Sequence, residues 1–289
     1  MKAGSLFQNR KALLVTRHSK EKVISPLLMQ ELGLEVTIAT RIDTDQFGTF
    51  SGEVERPDNQ YNTARLKVMK AFEWYPEMEI VIASEGAFNP HPDCPFIPVN
   101  TELVLLIDKK NFLEVAGRYL TLAPGVKEAT VSDMQKAREF AENIGFPEYG
   151  VILKAGRNND TNKPIILKEV TTWPDLEDAL RHLFSLSMDG SVSMQTDMRA
   201  HRNPFRMENI RQATLELIKV IRSVCSRCNT PGFDVKEVTR GLPCSLCGAP
   251  TKTVLSYIYE CKKCQHREER FFPHNKQQED PGFCDCCNP

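Results

Sequence analysis

The chain has 289 residues, of which 41% are hydrophobic and 26% charged, as is typical of a globular protein with one to three domains. Its formal net charge of -1 at pH 7 excludes a global field that would recruit nucleic acid or an anionic membrane. No stretch approaches the roughly 18 apolar residues of a membrane span, and residues 1–18 lack the apolar core of a signal peptide. We therefore expect a soluble cytoplasmic protein with reduced thiols.

Strand-like and helix-like patterns alternate along the first 224 residues. In chain order they predict strand 11–16, helix 20–32, strand 35–40, helix 59–74, strand 79–84, a hairpin of strands 102–108 and 112–120, helix 132–145, strands 151–155 and 165–170, helix 174–187, strand 191–196 and helix 208–224. A capping box of Ser132 and Gln135 opens the third of these helices, and Gly145 ends it. The alternation predicts an α/β body at residues 1–224, with a mixed sheet flanked by helices.

Ligands of open α/β sheets bind at loops beyond the carboxyl ends of strands, and three polar loops have that position. The first, residues 16–22, carries Lys20 and Lys22 at a helix start, where free backbone N–H groups can hold phosphate. In the second, residues 84–88, Glu85 follows an apolar strand and can hold Mg²⁺. A solvated surface segment is the alternative for both loops.

The third loop, residues 196–206, is rich in ionisable side chains whose arginines can clamp an anion. Its candidate ligand-binding residues are Asp197, Arg199, His201 and Arg206. Glu53 and Glu55 can add carboxylates to a metal site, and the proline-broken residues 89–93 form a lid or a rigid connector. A solvated connector is again the alternative for the third loop.

Nine of the ten cysteines lie in residues 225–289, and eight of them form C-x-x-C pairs separated by 15, 13 and 19 residues. The pairs are Cys225/Cys228, Cys244/Cys247, Cys261/Cys264 and Cys284/Cys287. This spacing predicts two tetrahedral tetrathiolate zinc sites in a double zinc-ribbon-like module. A disulfide framework is the alternative, and it needs an oxidising compartment. Each metal site can supply on the order of 10 kcal/mol of folding free energy to a segment with little core.

The spacing leaves open which pairs share an ion. Residues 244–264 have the pattern knuckle, strand, knuckle, so we expect the second and third pairs to bind one zinc and the first and fourth the other. Sequential pairing is the alternative. Cys286, inside the last pair, is a bystander or a substitute ligand.

The predicted zinc module contains 9 Lys/Arg and 8 Asp/Glu residues, a balance of +1. Nucleic acid is therefore not favoured as its partner, because affinity for a polyanion depends largely on neutralising phosphates. A protein partner is the remaining interaction hypothesis for this module. Alternatively, the zinc ribbons cap the fold or build a homo-oligomer.

Two resemblances add to these predictions. Residues 197–206 and the C-x-x-C-Asn-Pro ending resemble an uncharacterised bacterial family known only as a domain of unknown function. More distantly, residues 11–224 resemble the inosine/xanthosine triphosphate pyrophosphatase superfamily, whose members cut nucleoside triphosphates between the α and β phosphates with Mg²⁺. The matching segments are Thr16 to Lys20, Glu55 with residues 62–65, Glu85-Gly86 and residues 196–206. Ala87 and Phe88 stand where the family has a second acid.

The second resemblance implies a mechanism. Glu85, helped by Glu53 or Glu55, would hold Mg²⁺ and activate water. Charge on the phosphates would be stabilised by Lys20, Lys22 and Arg206, and Arg199 or His201 would face the base or sugar, with Asp197 in the same loop. The missing second acid favours the other hypothesis, a non-catalytic module that senses a nucleotide or another phosphorylated ligand.

Overall fold

The computed structural model describes residues 6–42, 58–91, 94–123, 125–156 and 165–289. Its strands are β1 (Lys11–Val15), β2 (Glu35–Ile38), β3 (Ile80–His91), β4 (Cys94–Asp108), β5 (Leu113–Leu122), β6 (Glu128–Val131), β7 (Val151–Ala155), β8 (Ile165–Val170), β9 (Val192–Thr196), β10 (Asp234–Arg240), β11 (Val254–Glu260) and β12 (Arg267–Phe271). Its α-helices are α1 (Glu21–Leu32), α2 (Gln60–Trp74), α3 (Met134–Ile144), α4 (Trp173–Leu186) and α5 (Pro204–Arg222). None of these helices combines the length and apolar character needed to cross a bilayer.

The first sheet has the order β2-β1-β3-β4-β5 and is mixed. Strand β1 pairs in parallel with β2 and β3, whereas β4 and β5 continue the sheet antiparallel. Helices α1 and α5 cover one face, where Leu28 and Ile210 are fully buried, and α2 covers the other through Val68. Alternate side chains of β3 and β4 therefore enter different cores, which decides where the polar residues of these strands point.

Two smaller sheets follow. The second sheet, β6-β9-β7-β8, is antiparallel and packs against α3 and α4. The third, β10-β11-β12, carries the cysteine knuckles and meets the first sheet where Lys262 Nζ donates to the Glu114 carbonyl oxygen at 2.9 Å. The predicted α/β class, a mixed sheet flanked by helices with a zinc-ribbon-like C-terminal module, is confirmed.

Residues 84–88 lie inside β3, so the prediction of a loop there is wrong. Strand β1 pairs with β3 only as far as Ala83, whereas β4 continues to pair with β3 up to His91. Beyond Ala83 the antiparallel pairing with β4 continues the strand through Asn89 and Pro90. Residues 89–91 of the predicted lid also belong to this strand, and residues 92–93 lie outside the described residues.

Two helices begin two or more residues away from their predicted starts. Helix α5 starts at Pro204, four residues before the predicted position, because Asn203 caps it by accepting a hydrogen bond from Arg206 N and proline suits the first helical position. Arg206 thus lies in the first turn of a helix and not in a loop. Helix α3 is capped by Asp133 and not by Ser132, while the predicted end at Gly145 is confirmed.

Strand β5 and helix α5 approach each other closely at Gly117. A Cβ atom there would overlap the backbone nitrogen of Leu217 and the carbonyl oxygen of Ala213. Because helix backbone cannot move aside locally, Gly117→Ala should lower the free energy of unfolding by about 3 kcal/mol. Urea unfolding measures the change. Gly125→Ala is the control, since its Cβ would meet nothing within 4 Å, and equal stability of the two variants would contradict this packing.

Candidate functional site

The eight paired cysteines form two groups whose Sγ atoms lie within 4.8 Å of one another, and each group can hold a metal ion. Cluster 1 contains Cys225, Cys228, Cys261 and Cys264, and cluster 2 contains Cys244, Cys247, Cys284 and Cys287. Distances between Sγ atoms of different knuckles are 3.6 and 3.7 Å in cluster 1 and 3.7 and 3.9 Å in cluster 2. Four sulfurs at about 2.3 Å from a tetrahedral ion would be about 3.8 Å apart, so both clusters have the geometry of a tetrathiolate site.

The clusters are interleaved along the chain, so the expected sharing of an ion by the second and third pairs is wrong, as is sequential pairing. The knuckles of the second and third pairs stand at opposite ends of β11, which has seven residues and spans roughly 20 Å. A ribbon needs a hairpin between its knuckles, and β10 supplies it: Asp234 pairs with Glu260, which brings Cys228 beside Cys261. The first and third cysteine pairs therefore form one cluster.

The second and fourth pairs meet at the other end of the third sheet. Strand β12 runs antiparallel to β11 and returns the chain to the start of β11. Glu279 then forms a parallel bridge with Cys244, where Ser245 N donates to the Glu279 carbonyl oxygen at 2.9 Å. This contact places the last knuckle beside the second.

All four knuckles share one backbone turn. The residue after the second cysteine donates its N–H to the carbonyl oxygen of the first cysteine, at 2.8 to 2.9 Å. In the first three knuckles this residue has a left-handed φ, and it is Asn229, Gly248 and Gln265 in turn. Glycine and asparagine adopt that conformation at little cost, which explains their place in two of the knuckles. Cys286 is exposed and belongs to neither cluster.

The predicted phosphate loop after β1 has an unusual backbone. His18 and Ser19 have φ values of 64° and 59°, a left-handed conformation that is rare in residues other than glycine. Lys20 follows in the right-handed helical region and starts α1 without a side-chain cap. In the described part of the chain, the N–H groups of Ser19, Lys20 and Glu21 have no hydrogen-bond acceptor. Successive N–H groups in such a turn form a concavity suited to an anion.

Lys20 is buried beside β3. Its Nζ atom lies 3.3 Å from Ser84 Oγ and 3.4 Å from the Ser84 carbonyl oxygen. Burial, then the charge of Arg206, lowers the pKa of Lys20 from 10.5 to about 8, and Glu102 and Glu85 offset part of this effect. Lys22, by contrast, is exposed on α1 and lies outside this arrangement.

Arg206 reaches the same face of β3 from α5. Its Nε atom donates to Glu102 Oε1 at 2.7 Å, and both side chains are fully buried. Glu102 is the partner of Gly86 in the β3–β4 register, and a Cβ atom on Gly86 would overlap both side chains of the ion pair. The glycine beside Glu85 therefore provides space for this ion pair.

Glu85 points to the opposite face of β3. It forms an ion pair with Lys67 of α2, and both side chains are nearly buried. The structure thus brings Lys20 and Arg206 to the face of β3 on which Glu102 pairs with Arg206, whereas Glu85 points to the other face. Reasoning from the sequence missed Glu102, although an isolated acid at the start of the apolar run 103–107 was a visible signal.

The loop 196–206 contributes a second charged group. Asp197 and Arg199 form a buried ion pair with an N–O distance of 2.6 Å. The His201 ring stacks on the His18 ring, with centroids 4.9 Å apart, which joins this loop to the phosphate loop. Burial, then the charges of His201 and Lys20, lowers the pKa of His18 to about 3, so His18 is neutral at physiological pH.

Glu169, which the sequence did not suggest, lies against this group. Its carboxylate contacts Arg199, His201 and Arg202. Partial burial opposes its ionisation, but hydrogen bonds from Arg202 and His201 dominate and lower the pKa of Glu169 to about 2. Glu53 and Glu55, the other predicted carboxylates, lie outside the described residues.

Comparisons with known proteins identify the family. A family model described as a domain of unknown function, DUF6671, matches residues 67–289. No curated protein matches the chain. Among solved structures, a PelC dodecamer from Paraburkholderia phytofirmans is similar over 40% of this chain and 73% of its own, with 16% identity and a TM-score of 0.22, which is too low to support an argument. The resemblance to the pyrophosphatase superfamily is not confirmed. Because the family model covers most of its length, the chain belongs to the DUF6671 family.

Proposed function

We propose that the α/β part of the chain binds a nucleotide or a related phosphorylated ligand at the loop between β1 and α1. The observation that carries the proposal is the position of Lys20, buried at a helix N-terminus whose first backbone N–H groups have no acceptor among the described residues. Lys20 and Arg206 lie on the same face of β3 together with the carboxylate of Glu102. Cationic side chains beside the backbone N–H groups of a helix start suit a phosphate.

Hydrolysis of the bound ligand is a second proposal. It is favoured by Glu102 Oε2, a buried carboxylate oxygen with no hydrogen-bond partner among the described residues. Such an oxygen can accept a proton from water. The described carboxylates do not fit a protein-held Mg²⁺ site, because Glu85 and Glu102 are each paired with a cation.

Replacement of Lys20 tests the binding proposal. We expect pyrophosphate and inosine, xanthosine and adenosine triphosphates to raise the melting temperature of the wild-type protein, and Lys20→Met to abolish the shift. Lys22→Met, which changes an exposed lysine of the same segment, should keep it. Pyrophosphate release with Mg²⁺, measured in parallel, decides between binding alone and hydrolysis. An absent shift in the wild type, or a normal shift in Lys20→Met, would refute the proposed binding site.

The lowered pKa of Lys20 also predicts how stability depends on pH. Between pH 8 and 10.5 the lysine is neutral in the folded protein but protonated in the unfolded chain. The unfolded chain then binds more protons, so wild-type stability rises with pH relative to Lys20→Met. Lys20→Met should be more stable than wild type at pH 7 by on the order of 3 kcal/mol, and the difference should vanish near pH 10.5. Urea unfolding at both pH values measures it, and a pH-independent difference would be inconsistent with the shifted pKa.

We further propose that zinc occupies both cysteine clusters. Its preference for four thiolates in a tetrahedral arrangement fits the donor set and the spacing of the sulfurs. With all four positions of each ion taken by protein, the zinc would be structural and not catalytic. Four thiolates around one divalent ion carry a net charge of about -2, so two loaded clusters would also oppose binding of a polyanion.

A further inference from the structure

Glu169 makes an unusual set of contacts for an exposed carboxylate. Oε1 accepts a hydrogen bond from Arg199 Nη1 at 2.5 Å and lies 3.2 Å from His201 Nε2. Oε2 accepts two hydrogen bonds from Arg202, from Nε at 3.1 Å and from Nη2 at 2.7 Å. Three cationic or potentially cationic side chains thus converge on one carboxylate. The Glu169 side chain is nevertheless 51% exposed.

The backbone of β8 is distorted at this residue. Leu167 pairs with Leu153, and Val170 pairs with Val151, so two residues of β8 stand opposite one residue of β7. Glu169 belongs to this bulge and has a φ of 63°, which is unfavourable for a residue with a side chain. Bulges of this kind re-aim side chains, and here the carboxylate is directed onto Arg199 and Arg202.

The same donors suit a phosphate group. Arginine binds carboxylate and phosphate oxygens with the same two-pronged geometry. Arg202 contacts Oε2 through both Nε and Nη2, whereas Arg199 contacts Oε1 through Nη1 and binds Asp197 through Nε and Nη2. The donors also adjoin the phosphate loop, because His201 stacks on His18, two residues before Lys20. A ligand phosphate can reach this position from solvent, since Glu169 is half exposed.

We propose that Arg199, His201 and Arg202 form a binding site for a phosphate group of the ligand, and that the Glu169 carboxylate occupies this site until the ligand displaces it. The inference rests on the proposed function, and it adds a second anion site and an internal competitor. The apparent affinity for the ligand would then scale with the fraction of time that the Glu169 carboxylate is away from the three donors.

Glu169→Gln tests the proposal with pyrophosphate as the probe. The amide keeps the size of the side chain but is a weaker competitor for the arginines. We expect the dissociation constant of pyrophosphate, measured by titration calorimetry, to fall about tenfold or more. Glu177→Gln is the matched control, because Glu177 is a surface acid that also pairs with two arginines. These are Arg138 of α3 and Arg181 of α4. The Glu177→Gln variant should bind pyrophosphate with the same affinity as the wild type.

The outcomes separate this inference from the proposed function. If Glu169→Gln binds pyrophosphate more tightly than the wild type and Glu177→Gln does not, the Glu169 carboxylate competes with the ligand, as proposed. If the wild type binds pyrophosphate and Glu169→Gln binds it equally or more weakly, Glu169 only positions the arginines and the inference is overturned, while the proposed function stands. If neither protein binds pyrophosphate or a nucleoside triphosphate, the proposed function fails and this inference fails with it.

Discussion

Replacing Cys244 and Cys261 by serine together is expected to remove both zinc ions, whereas replacing Cys225 and Cys261 together should remove only one. The first two residues belong to different clusters and the second two to the same cluster. Loss of a thiolate ligand opens a tetrahedral site, so each cluster that loses a cysteine should also lose its zinc ion and with it folding free energy on the order of 10 kcal/mol. Elemental analysis of protein purified without chelator counts the ions.

The two double variants distinguish the interleaved arrangement from both alternatives. If the second and third pairs shared an ion, the Cys244/Cys261 variant would keep one zinc and the Cys225/Cys261 variant none. Cys286→Ser is the control, because its exposed thiol lies outside both clusters and two zinc ions should remain. Two disulfide-linked, metal-free clusters in the wild-type protein would refute the proposal that the clusters bind zinc.

Arg206→Met is expected to lower the free energy of unfolding by about 3–5 kcal/mol, the largest effect predicted for a single change in the α/β part. The change leaves the Glu102 carboxylate buried without its cation, and the desolvation of an unpaired charge is costly. Arg206 also donates from Nη1 to the Met198 carbonyl oxygen at 2.6 Å, so the loop before α5 loses a contact as well. Urea unfolding followed by tryptophan fluorescence provides the measurement.

A double-mutant cycle isolates the ion pair. Adding Glu102→Gln to Arg206→Met should recover part of the lost stability, because the neutral amide no longer leaves a charge buried. Arg211→Met, on the exposed side of the same helix, should change stability by about 0.5 kcal/mol or less. Additive effects of the two buried substitutions would contradict a coupled Glu102–Arg206 pair.

The sequence correctly predicted the elements whose apolar residues recur at a regular spacing. Helix α2, with Val68 and Ala71 on one side, and strand β1, a compact apolar run, lie where the periodicity placed them. Strand β6 was missed, because Glu128–Val131 is short and carries little apolar pattern. The continuation of β3 past Ser84 was missed for another reason: a long antiparallel partner, β4, holds polar residues and prolines in a strand.

The candidate site was only partly predictable. Lys20 and Arg206 were predicted as phosphate ligands from their local sequence, and the structure brings both to one face of β3. Glu85 was chosen for its place after an apolar run, but strand alternation sends it to the α2 face. Glu102 and Glu169 contact their arginines across 104 and 30 residues of sequence, and no local pattern reveals such pairings. The pairing of the cysteines was mispredicted because the single strand between the second and third pairs, β11, was interpreted as a complete zinc ribbon, which needs a hairpin.

A protein partner on the zinc module and a cytoplasmic location stay predictions. A crystal structure with a non-hydrolysable nucleoside triphosphate analogue tests phosphate binding at the start of α1 most directly. We expect a phosphate within hydrogen-bond distance of Lys20 Nζ or of the N–H groups of Ser19, Lys20 and Glu21. A bound analogue with its phosphates elsewhere, or a vacant cleft at saturating analogue concentration, would contradict it.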